Sequence, residues 1–157
     1  MRMDIQKARV QDIPQIVRLY AKLMRQHWQY EPLYQVHAKA WSDYRKFLKQ
    51  YILNRNACIL VAHTATGRIV GFMSCVIHKR MPRFRIKKAA YIYDVYIEKQ
   101  YQGKGIGYAM LSVLKQWAKD RGICWIKLEV SPQNKSAFLF WKKSGFHVFQ
   151  HKMAQRI

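Results

Sequence analysis

The chain has 157 residues, half of them apolar, enough for the core of a single domain spanning 1–157. Lys and Arg number 29 against 8 Asp and Glu, a net charge of +21, which suits either an acidic partner or an ordinary solvated surface. No apolar run nears the ~20 residues that cross a bilayer, no signal-peptide core follows the first residues, and Cys58, Cys75 and Cys124 lack the spacing of a zinc site or disulfide framework. A cytoplasmic protein with no membrane partner, no metal and buried reduced thiols is the expectation.

DIQKARV, from Asp4, reads as a short strand. Asp12 can cap a following helix and Pro14 suits its first turn. Ile13, Ile16, Val17, Tyr20, Leu23 and Met24 recur at helical spacing, and a loop is expected from His27 to His37, around Pro32. Ser42 opens a second helix with Tyr44, Phe47, Leu48, Tyr51 and Ile52 on one face, closed at Asn54–Asn56. Cys58–His63 and Ile69–Ile77 are apolar strands joined by a turn at Gly67, a hairpin. His78–Lys88 is a basic loop. Ala90–Ile97, rich in aromatic and β-branched residues, is a central strand. A helix follows from Ile106 to Gly122, then a strand over Cys124–Val130, a helix over Ser136–Ser144 and a last strand from Phe146. The strand–helix–strand unit from Ala90 to Val130 demands a parallel pair. The predicted fold is α/β: one mixed sheet, mostly antiparallel, flanked by helices on both faces.

Between the central strand and its helix stands Gln102-Gly103-Lys104-Gly105-Ile106-Gly107. The first N–H groups of a helix lack partners and carry the positive end of its dipole, and glycines let the backbone curl around an anion there. Gln102 adds a donor and Lys104 a charge. A phosphate or pyrophosphate site competes with a plain tight turn. The spacing is neither that of the Walker loop nor that of the dinucleotide fingerprint.

Gln102–Gly107 resembles the Q/R-x-x-G-x-G/A motif of the GCN5-related N-acetyltransferases. Asp94-Val95-Tyr96-Ile97 before it, Leu128-Glu129-Val130 after it, then Asn134, Ala137 and Gly145-Phe146, are similar to that family's succeeding segments, and Arg9, Asp12 and Ile13 to its opening. The resemblance covers nearly the whole chain. It implies acetyl-CoA as cosubstrate and an amine acceptor. It implies a splayed strand pair at which the backbone of Val95, Tyr96 and Ile97 meets the pantetheine, with Gln102–Gly107 on the pyrophosphate. Asn134 and Ala137 would lie along the pantetheine arm, and Phe140 and Trp141 at the thiol end. Trp141 stands where the family often has a tyrosine that protonates the departing thiolate. Indole donates but is no usable acid at neutral pH, so Trp141 either hydrogen-bonds the sulfur or packs, and Tyr93, Tyr96 or water would supply the proton.

Carboxylates are few. Asp4, Asp12, Glu98 and Asp120 fall at ends or turns, where capping or exposure is expected. Asp94 and Glu129 fall inside strands, where a carboxylate is costly unless used or paired. Asp94 is the leading candidate base, with an ion pair as the alternative; Glu129 is the second, with a structural hydrogen bond as its alternative. His27, His37 and His78 are further options near the acceptor side. Rival readings are transfer of another acyl group, a non-catalytic acyl-CoA sensor, and a basic nucleic-acid binder, although no nucleic-acid-binding signature is present. A homodimer stays open.

Overall fold

The computed structural model describes residues 3–157. Five strands form one mixed sheet in sequential order: β1 (Asp4–Lys7), β2 (Ala57–His63), β3 (Ile69–Lys79), β4 (Lys88–Ile97) and β5 (Ile126–Leu128). The first four are antiparallel neighbours and β4 pairs with β5 in parallel. Helices α1 (Ile13–Tyr30) and α2 (Ala40–Ile52) cover one face, α3 (Ile106–Lys119) and α4 (Lys135–Lys143) the other.

Alternation along the strands builds the two cores. Cys58, Leu60 and Ala62 of β2 join Met110, Leu114 and Trp117 of α3, while Ile59 and Val61 join Ile16, Leu19 and Leu23 of α1 and Leu48 of α2. A strand buried on both faces reads as a continuous apolar run, as β2 and β3 do.

Several boundaries depart from expectation. α1 continues through His27 to Tyr30, and α2 begins at Ala40. Asp12 does not cap α1: its carboxylate accepts from the Arg9 amide at 2.7 Å. Cys58 and Cys75 are buried but Cys124 is exposed. The expected strand over Cys124–Val130 shrinks to three residues, so Glu129 lies beyond it. No strand begins at Phe146 among the described residues; the chain from 146 to 157 runs without regular structure. An apolar alternation alone does not make a strand without a neighbour to pair with. No described helix is long and apolar enough to cross a membrane.

Candidate active site

The parallel pairing of β4 and β5 covers only Ala90–Ile92 against Ile126–Leu128. β4 then runs on to Ile97 with no strand neighbour on that side among the described residues, so the sheet opens into a notch. The register skips Tyr93, a bulge opposite Ser74 and Cys75. The Glu98 amide donates to the Val70 carbonyl at 2.8 Å, which turns the backbone of Glu98 and Tyr96 toward β3. Val95 and Ile97 therefore turn their peptide groups into the notch. An extended acceptor of strand-type hydrogen bonds fits here.

The far end of the notch is closed by the glycine turn. Gly103 and Gly105 have φ of 73° and 79°, in the left-handed region that favours glycine. Gly105 is the residue from which α3 starts, and the amides of Ile106, Gly107 and Tyr108 find no acceptor among the described residues. Gly107 serves packing instead: a Cβ there would sit 3.1 Å from the Phe140 ring and 3.6 Å from Ile97 Cδ1. The Gln102 carboxamide donates to the Ile97 carbonyl at 2.8 Å and fastens the turn to the strand end. Lys104 holds its ammonium 5.4 Å from the Tyr101 ring centre.

α4 flanks the notch from the α3 side. Asn134 caps it, its side-chain oxygen accepting from the Ala137 amide at 3.2 Å. Phe140 rests on Tyr108 with ring centres 4.9 Å apart. Trp141 is buried between Phe140 and Phe146, at 4.8 and 5.1 Å, which favours packing for the indole.

Asp94 lies on the other face of β4. Its Oδ2 accepts from Tyr44 Oη and Ser74 Oγ, both at 2.9 Å, and no hydrogen bond reaches Oδ1 among the described residues. Among the described residues no Lys or Arg pairs with it, so the ion pair expected as its alternative is not formed there. Burial pushes its pKa up, and the two hydroxyl bonds pull it partly back. Tyr44 in turn stacks on Tyr20 with ring centres 3.5 Å apart. Burial and the Asp94 charge push the Tyr20 phenol up to about 12. Tyr93, at the bulge, meets His78 Nε2 through its hydroxyl at 2.8 Å. Tyr96 packs toward α1 and α2. Glu129 is paired with Lys152; burial raises its pKa, but Lys152 and the Tyr91 phenol outweigh that and lower it. That pairing is poor preparation for a base.

Glu98 is the carboxylate whose place the sequence concealed. Its side chain is 5% exposed and meets Lys22 Nζ at 2.7 Å, Arg18 at 3.2 Å and Arg68 at 2.6 Å. Covering by these side chains raises its pKa, but their charges prevail and hold it below the carboxylate range. It ties α1 and the β2–β3 turn to the end of β4, directly before the glycine turn. Glu98→Gln leaves three cations around a neutral group and should cost about 1–3 kcal/mol of stability, less than a fully buried pair because the cations are half exposed. Since the Glu98 pKa is depressed in the fold, its contribution is present above the unfolded carboxylate range and is lost as pH falls through the folded value. Denaturation of wild type and variant from pH 7 to pH 3 should show their difference shrinking at the acid end.

The model of the "Acetyltransferase (GNAT) family" matches residues 15–146. An uncharacterized N-acetyltransferase of Methanocaldococcus jannaschii is 25% identical over 86% of this chain, which spans 56% of that protein's length. A glucosamine 6-phosphate N-acetyltransferase of Trypanosoma brucei brucei is 30% identical over 58% of this chain and 59% of its own length. The chain thus spans under three fifths of these two relatives. A crystal structure described as a predicted acetyltransferase with acetyl-CoA, from Clostridium acetobutylicum, superposes with a TM-score of 0.80 at 21% identity, covering 99% of this chain and 96% of that one. The glycine turn, the open strand β4 and the sheet order agree with the family match, and this chain belongs to the GNAT acetyltransferase family.

Proposed function

We propose that the chain is an acetyl-CoA-dependent N-acetyltransferase that passes the acetyl group directly to an amine. One observation carries this most: the edge of β4 at Val95 and Ile97, which no strand pairs among the described residues, leads straight to a left-handed glycine turn whose first helix amides find no acceptor among them. Strand-edge peptide groups suit the amides of a pantetheine arm, and helix amides suit its pyrophosphate. Gly103, Gly105, Ile106 and Gly107 would hold the phosphates through backbone, with Lys104 adding charge, and Asn134, Ala137 and Phe140 would border the arm. The family match and the acetyl-CoA named for the clostridial relative point the same way.

The chemistry follows from Asp94. An acceptor ammonium must lose a proton before its nitrogen can attack. Asp94 Oδ1 is open for that proton, taken directly or through water, while Tyr44 and Ser74 hold Oδ2. The nitrogen then bonds to the thioester carbonyl carbon, the carbon–sulfur bond breaks, and the thiolate departs with the electron pair and takes up, through water, the proton that the new amide nitrogen sheds. No cysteine of this chain is needed as a carrier. The trypanosomal relative's name gives it an amino sugar phosphate as acceptor. Here the acceptor is an amine of a small molecule or a peptide. A panel of amines, read by release of free CoA thiol, should show turnover with at least one; tight acetyl-CoA binding with no turnover on any amine would favour a sensor.

A further inference from the structure

The strands β3 and β4 extend beyond the sheet as a hairpin whose tip is the basic segment His78–Lys88. It carries Lys79, Arg80, Arg83, Arg85, Lys87 and Lys88 and no carboxylate. Every residue from Met81 to Lys88 is exposed. The tip is nevertheless built: Lys79 pairs with Lys88, the Arg80 amide donates to the Lys87 carbonyl at 2.8 Å, and the Phe84 amide donates to the Met81 carbonyl at 3.0 Å. Between the cations stand three exposed apolar side chains, Met81 at 57%, Phe84 at 37% and Ile86 at 37%. The hairpin also adjoins the acceptor side of the site, because His78 at its base meets Tyr93, next in sequence to Asp94.

We propose that this hairpin binds an acidic peptide segment of the acceptor, so that the amine delivered to Asp94 belongs to a polypeptide with Asp or Glu near the acetylated position. This rests on the N-acetyltransferase reading above. Charge complementarity favours an anion, and the interleaved Met81 and Ile86 favour one that also carries apolar side chains, which a peptide does and a phosphate backbone does not. Nucleic acid is disfavoured by the Phe84 ring: Arg80 and Arg83 lie 4.2 and 5.1 Å from its centre, so it is already used by guanidinium groups rather than offered to a base.

The test compares two peptides with the same amino-terminal amine, one continuing in alternating Glu and Leu, the other in alternating Gln and Leu. Acetylation of the acidic peptide should have a kcat/KM about tenfold higher, shrinking as salt rises. Arg85→Glu combined with Lys88→Glu changes two side chains that make no hydrogen bond or ion pair among the described residues. It should abolish the preference while acetyl-CoA affinity by calorimetry and Tm stay as in wild type. The N-acetyltransferase reading is judged separately, by acetyl-CoA affinity and turnover on small amines. Equal kcat/KM for the two peptides would overturn the hairpin proposal, as would stronger competition by a uridine oligonucleotide or phosphatidylserine vesicles than by the acidic peptide. If the double variant unfolds, Arg85→Gln alone should still reduce the preference, and an unchanged preference would overturn the proposal.

Discussion

Replacing Asp94 by Asn should lower kcat by about 10²–10⁴-fold, the usual range for a positioned general base, with acetyl-CoA affinity unchanged. The amide keeps an oxygen for the Tyr44 and Ser74 hydroxyls, so packing survives and only the proton acceptor is lost. The pH dependence should identify the group. Burial raises the Asp94 pKa, and the wild-type rate should fall on the acid side at a pH above the ordinary ~3.9 of aspartate. Asp94→Asn should erase that limb. Tyr44→Phe removes a hydrogen bond to the charged carboxylate and should move the limb to higher pH. Stability carries the opposite sign. A carboxyl with a raised pKa in the fold leaves stability intact below its unfolded pKa and reduces it as pH rises through the folded value. At pH 7 the Asn variant should therefore melt no lower than wild type. A fully active Asn variant would mean that the amine arrives neutral or is deprotonated elsewhere.

The second large effect is at the glycine turn. Gly105→Val should weaken acetyl-CoA binding by at least about tenfold in calorimetry. A Cβ at Gly105 would meet nothing within 4 Å, so the damage is not a clash within the protein. The cause is φ of 79°, which costs a residue with a side chain about 1–2 kcal/mol and a β-branched one more. The turn would have to re-form, and the amides of Ile106 and Gly107 would move with it. Gly67, with φ of 78° in the β2–β3 turn, is the control. Gly67→Val should lower Tm similarly and leave acetyl-CoA affinity alone. Equal affinity in wild type and a folded Gly105→Val protein would remove the glycine turn from the binding site.

The parts of this architecture that are local in sequence were readable there. The apolar runs of β2 and β3, the helical spacing of α1 and α3, and the glycines before Ile106 are signals within one segment. What escaped depends on distant partners. Glu98 looked like a turn residue, yet its cations lie 30, 76 and 80 positions away. Tyr44 read as one more apolar position of α2, although it reaches Asp94 across 50 residues. Ser74 offered a clue: it is the one hydroxyl in the apolar run of β3, and a fully buried hydroxyl needs a partner. The Tyr93 bulge, which turns Val95 and Ile97 into the notch, leaves no mark in a strand this aromatic. The failed final strand shows the converse, since Phe146, Val148 and Phe149 have strand-like chemistry but no neighbour to pair with.

The most direct measurement is a reaction of the purified chain with acetyl-CoA and a panel of small and peptide amines, following CoA thiol release and the mass of each amine together. The predicted result is thiol release that depends on the amine, with the product amine heavier by one acetyl group and with both signals reduced in Gly105→Val at limiting acetyl-CoA. Thiol release that ignores the amine, or acetyl-CoA binding without any acetylated product across the panel, would contradict it.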